Sequence, residues 1–203
     1  DANTAVGRLS LSKNTTADFN TALGYATLRC NITGEGNTGL GVCALYTNTA
    51  SNNTAVGSSA LLANTTGTLN VAVGSNTLLA NTIGGCNVAI GESAMCDNTE
   101  GLRNVAIGQN AMCDNSTGDG NIAVGFKSLS KNTTASCNIA IGKSALSLNQ
   151  TGTANTAVGT LALTANTASN NTAVGYLSLT ANTTGANNVA IGKDSMDSNT
   201  TGS

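Results

Sequence analysis

A chain of 203 residues with a formal net charge of −2, 9% charged and 2% aromatic side chains, and no His, Pro or Trp lacks the material of an ordinary globular core. It also lacks the basic cluster that nucleic acid or an anionic membrane would need. Without His, Ser-His-Asp and Cys-His catalysis and His-ligated metals are excluded, no apolar run reaches membrane-spanning length, and no signal-peptide pattern opens the chain.

From the N-terminus the chain writes one unit repeatedly: Asn, a β-branched residue, Ala, an aliphatic residue and Gly, then Leu or Met four positions on and a second Asn three after that. The first Asn of each unit is Asn3, Asn20, Asn37, Asn53, Asn70, Asn87, Asn104, Asn121, Asn138, Asn155, Asn171 and Asn188, so the period is seventeen residues with two sixteen-residue units. Short regular periods mark stacked architectures. The second Asn follows eleven positions later in every unit, at Asn14, Asn31, Asn48, Asn64, Asn81, Asn98, Asn115, Asn132, Asn149, Asn166, Asn182 and Asn199. Both deletions, before Asn53 and before Asn171, therefore fall after the second Asn, which places a surface turn there.

Within a unit, Asn-[TVI]-Ala-[VIL]-Gly reads as a short strand whose two branched residues share one face and whose Ala faces the other way. Ala is replaced only by Gly39, so the Ala side is expected to be crowded as well: the branched side is assigned to the coil interior and the Ala side to packing on other copies of the chain. The Gly after the strand (Gly7, Gly74, Gly108, Gly192) suits a positive φ or a close backbone approach. The Leu or Met of the second half (Leu11, Leu61, Met95, Met112, Leu146, Met196) is read as pointing inward. The residues after the second Asn, with Gly34, Gly67, Gly84, Gly118 or Gly185, read as a turn with αL geometry. The sequence thus predicts an all-β parallel β-solenoid of twelve 16–17-residue coils, each rising about 4.8 Å, in a rod of roughly 55 Å.

Recurrence in all twelve units gives the two Asn columns a structural reading, since stacked Asn amides can bond from rung to rung and Asn tolerates αL corners. NTASNNTAVG at 48–57 returns unchanged at 166–175, an offset of 118 residues that makes seven units a super-repeat. Residues 1–203 are read as one repeat domain with no divergent capping unit, expected to be a slice of a longer chain or a subunit whose ends are covered. Aliphatic burial in one chain falls short of the cost of ordering it, which implies association with further copies.

The strings NVAIG (Asn87 to Gly91, Asn104 to Gly108, Asn188 to Gly192), NIAIG and NTAVG, each followed by a small and then an apolar residue, resemble the head repeats of trimeric autotransporter adhesins. They are similar also to repeats in tail-fibre proteins of phages and large algal viruses. The resemblance covers all twelve units and implies a left-handed parallel β-roll with three chains side by side. The unit here carries an additional Asn-Thr-Thr-Gly segment, which sets its outer turn apart.

Few residues read as sites, and no cofactor, metal or catalytic constellation is expected. Asp97 and Asp114 share a column in neighbouring units but lack the further oxygens of a calcium site. Cys96 and Cys113 occupy the same position in consecutive units, inside the Cα window for a disulfide but with parallel side chains that would strain it, so they read either as a candidate disulfide or as small apolar residues in Ser- or Ala-like slots; Cys86 and Cys137 stand three coils apart, too far to bond, and Cys30 and Cys43 lie at different points of their coils. Candidate glycosylation sequons begin at Asn14, Asn31, Asn52, Asn64, Asn115, Asn132, Asn149, Asn170, Asn182 and Asn199. Paired Thr residues (Thr15-Thr16, Thr65-Thr66, Thr133-Thr134) point apart, unlike the alternating Thr of a flat ice-binding face. The leading functional expectation is an extracellular, cell-surface or virion-surface fibre: the shaft or head of an adhesin or viral host-attachment fibre, self-associating, with any receptor or glycan engaged by regions outside this chain. A self-polymerising extracellular filament is the alternative, and an ice-binding solenoid a minor one.

Overall fold

The computed structural model describes residues 2–203. Twelve three-residue strands stack in chain order into one parallel sheet: β1 (Thr4–Val6), β2 (Thr21–Leu23), β3 (Thr38–Leu40), β4 (Thr54–Val56), β5 (Val71–Val73), β6 (Val88–Ile90), β7 (Val105–Ile107), β8 (Ile122–Val124), β9 (Ile139–Ile141), β10 (Thr156–Val158), β11 (Thr172–Val174) and β12 (Val189–Ile191). Each strand comes from one coil, so the molecule is the β-solenoid that the period predicts. Among the described residues no helix is long and apolar enough to cross a membrane.

Register is residue for residue, as in Val105 with Ile122, Ala106 with Ala123 and Ile107 with Val124. The two sixteen-residue coils do not disturb it: Thr38 still faces Thr54 and Thr156 still faces Thr172. Their missing residue is absorbed after the second Asn, where Thr49 or Thr167 alone precedes the next Ala.

The two faces of the strand are the reverse of the expected arrangement. Ala at the centre of β2 and of β4 to β11 points into the coil and is fully buried, as is a second column of Ala44, Ala60, Ala94, Ala111, Ala145 and Ala162. These pack on the Leu or Met column from Leu28 to Leu179. The β-branched residues point outward. A single seventeen-residue turn encloses room for one large side chain and two methyls, so the strand presents its smallest residue to the interior. Gly39 follows the same rule: a Cβ there would lie 2.5 Å from Cγ2 of Thr27, which fills the space from the coil before.

Three columns per coil besides the strand glycine carry positive φ. In the seventh coil and its neighbours they include Asn110 (φ 55°), Met112 (φ 51°) and Arg103 (φ 56°). Their N–H groups all reach a neighbouring coil: Asn110 donates to Glu92 O at 3.0 Å, Met112 to Ser128 O at 2.9 Å and Arg103 to Gly85 O at 3.1 Å. The left-handed conformation bends the chain while leaving its amide along the rod axis, where an acceptor waits, and that bond offsets the roughly 1–2 kcal/mol each L-residue loses there. The αL residue of the turn after the second Asn is the one just before the next first-column Asn, as at Arg103 and Gly120, and not the expected glycine two positions earlier: Gly34, Gly67, Gly84, Gly118 and Gly185 are absent from the positive-φ set. Crowding keeps these positions small: a Cβ on Gly118 would stand 2.3 Å from Ala135 O and 2.5 Å from Asn115 Oδ1. The strand glycines need both properties, with φ between 123° and 138° in every coil and, at Gly108, a Cβ position 2.7 Å from the carbonyl of Gly125.

Candidate functional site

The two Asn columns converge on one atom in each coil. Both side-chain amides donate to the carbonyl three residues after the second Asn, or two after it in the shortened coils: Asn104 Nδ2 and Asn115 Nδ2 reach Gly118 O at 2.8 and 3.2 Å, and Asn37 and Asn48 reach Ala50 O. The same pair of bonds closes the first coil on Ala17 O and the last on Gly202 O. The bracket pins the outer turn to the start of the strand within its own coil.

Between coils the columns differ. Each first-column Oδ1 accepts the backbone N–H of the next first-column Asn, as Asn104 does from Asn121 at 2.8 Å. The second column is the amide ladder proper: Asn98 donates to Asn81, Asn115 to Asn98 and Asn132 to Asn115, each at 2.7 Å. It breaks around Asn149, whose Oδ1 accepts from Gly152 N at 3.0 Å instead, and the buried Oδ1 of Asn132 has no partner. The chemistry fits the residue, since only a side chain with both a donor and an acceptor can serve two coils at once.

Burial sorts the sequons. Asn31, Asn64, Asn115, Asn132, Asn149 and Asn182 are fully buried, with their amides engaged inside the coil. Asn14 and Asn199 lie half-buried in the end coils, whereas Asn52 and Asn170 are exposed. Both exposed residues sit in the shortened coils. The Thr that follows the second Asn turns its hydroxyl to the next coil, as Thr65 does to Thr82 O at 3.0 Å and Thr183 to Thr200 O at 3.0 Å.

The outer face of the sheet is a regular surface that runs the length of the rod. Val6, Leu23, Leu40, Ile90, Ile107, Ile141, Val174 and Ile191 are all exposed in one column, and Thr, Val or Ile flank them two residues earlier on the same side. Over eleven coil-to-coil steps this strip is about 53 Å long and, side chains included, covers about 500 Å². That is at the upper end of the apolar patches that monomers expose. Its signal was present in the sequence: the column that drifts among Thr, Val and Ile tolerates size changes, as an outer face does, while the column held at Ala does not.

Of the six cysteines, Cys96 and Cys113 are brought together, Sγ to Sγ at 2.7 Å, with Asp97 Oδ1 3.5 Å from Cys96 Sγ. The hydrogen bond between Cys96 and Cys113 pushes the Cys96 thiol up and holds Cys113 down, and burial and the Asp97 carboxylate raise Cys96 further. Asp114 does not turn to Asp97; it pairs with Lys131 at 2.8 Å, which raises the lysine. Cys86 and Cys137 are exposed, Cys30 and Cys43 half-buried, and all six are free thiols.

Together these features define a parallel β-solenoid framed by asparagine. No family model matches the chain, and comparison with curated proteins and with solved structures returns no significant match.

Proposed function

We propose that the chain is a rod-forming segment of an extracellular fibre, the shaft or head of an adhesin or of a viral host-attachment fibre, in which three copies pack along the outer faces of their sheets. The observation that supports this reading is the unbroken outward column from Val6 to Ile191, which an isolated rod would leave in water. Twelve in-register strands keep it straight, and the asparagine bracket stiffens every coil without a large core. Such a rod acts by length and rigidity, so no catalytic constellation is required of it, and recognition of a receptor or glycan falls to regions outside the chain.

Electron micrographs of the full-length gene product test the reading. Rods of constant length attached to a particle or cell surface are the expected result. Open-ended filaments that lengthen with protein concentration would replace it with a self-polymerising filament, and dispersed single rods of one chain would remove it.

A further inference from the structure

Coils six and seven depart from the repeat together. Ala94-Met95-Cys96-Asp97-Asn98 and Ala111-Met112-Cys113-Asp114-Asn115 are the same five residues on adjacent coils, and the position of Cys96 is Ser, Arg, Tyr, Leu, Thr or Asp in the other ten. In-register stacking puts the two thiols side by side, and the ligand atoms of Cys96, Cys113 and Asp97 all lie within 4.8 Å of one another. We propose that these three residues form a binding site for a thiophilic divalent cation of the zinc or cadmium class, with water as the fourth ligand.

Two thiolates and a carboxylate are a soft, doubly charged donor set of the kind such cations select. A tetrahedral zinc with Zn–S bonds of about 2.3 Å holds its sulfurs about 3.7 Å apart, so the pair need separate by only about 1 Å. The side chains stack in parallel from neighbouring coils, which suits a bridging ion better than the near-perpendicular dihedral of a disulfide. An open cavity of about 310 Å³ beside Cys113, lined also by Asn110, Asp114 and Lys131, supplies the entry path and room for water. The Lys131 to Asp114 pair keeps the second carboxylate occupied. Binding forms two metal–sulfur bonds and releases the thiol protons to solvent, with no change of oxidation state, so affinity rises with pH.

The test is titration of the intact chain, reduced with a phosphine and kept free of oxygen, with cadmium ion alone. The thiolate-to-metal charge-transfer band is the readout, and the absence of Trp keeps the background low. One cadmium per chain is expected, with Cys96→Ser and Cys113→Ser each abolishing the band and Asp97→Asn weakening affinity about ten-fold. Ser already stands in this column at Ser130 and Ser147, so the coil accepts it, and Cys86→Ser and Cys137→Ser leave the band unchanged. The proposal is overturned by the absence of a stoichiometric band in reduced protein, by a band that survives both Cys96→Ser and Cys113→Ser, or by a Cys96–Cys113 disulfide that the reductant does not open.

Discussion

Replacing Asn115 with Asp separates the hydrogen-bonding role of the second column from its shape. Asn115 is fully buried; it donates to Asn98 Oδ1 at 2.7 Å and to Gly118 O at 3.2 Å, and accepts from Asn132 Nδ2 at 2.7 Å. A carboxylate keeps the acceptor but loses both donors. Gly118 O retains the amide of Asn104, whereas no other donor reaches Asn98 Oδ1 among the described residues. An uncompensated buried charge costs about 3–5 kcal/mol, and one orphaned acceptor about 1–3 kcal/mol. Protonation relieves the first term and allows one O–H to serve Asn98. The introduced carboxyl therefore titrates in the fold above its unfolded value of about 3.9. The folded state then binds more protons than the unfolded one between the two values, so stability falls as pH rises through that window and is regained in acid. Urea unfolding followed by circular dichroism should show Asn115→Asp about 4–8 kcal/mol less stable than the parent at neutral pH, with the deficit shrinking by about half near pH 4.5. Asn115→Ala orphans Asn98 Oδ1 and leaves Asn132 Nδ2 with Ala135 O alone, without adding a charge, for a deficit of about 1–3 kcal/mol that is constant with pH. An Asp variant as stable as the parent at neutral pH, or one whose deficit ignores pH, would refute the ladder.

Three further outcomes follow from the same geometry. Ala106→Gln forces a long side chain into the filled interior of its coil and should lower stability by about 3 kcal/mol, read by thermal melting, while Ile107→Gln on the outer face should leave the coil folded; equal melting temperatures would contradict the observed facing of the strand. Ala154, at φ 56° with its N–H bonded to Ser136 O, should accept Gly with little change but lose about 2 kcal/mol or more on replacement by Val, whose branched Cβ fits that region poorly. If the chain is made in a host that glycosylates, peptide mapping should find glycan on Asn52 and Asn170 and none on Asn64, Asn115 or Asn132, because a buried, bonded amide offers no acceptor.

The sequence makes the period, the register and the outer turn legible because each is a matter of spacing, and spacing survives substitution. The deletions before Asn53 and Asn171 are informative in the same way, since a stack tolerates loss only where its ladder is not engaged. Facing is harder. A period of two says that Thr4 and Val6 share a side and that Ala5 takes the other, but it does not say which side is the interior, and the larger residues were assigned to it. The choice of residue held the answer: Ala is kept where space is fixed, and Thr, Val and Ile exchange where it is open. The αL columns carried a second unused signal. Rich as the chain is in Thr, Val and Ile, none occurs in the columns of Asn110, Met112 or Arg103, as positive φ demands. Gly118 is a glycine for a different reason, crowding by Asn115 and Ala135. The Cys96–Cys113 pair was visible from its shared column, and its proximity to Asp97 emerged only with side-chain placement.

The claim that the outer branched face carries side-by-side association is tested most directly by sedimentation equilibrium of the folded chain at micromolar concentration. The account predicts a particle of three chains, reduced to single folded chains by Ile107→Lys with the circular dichroism spectrum unchanged. A parent chain that sediments as a stable folded monomer would contradict it.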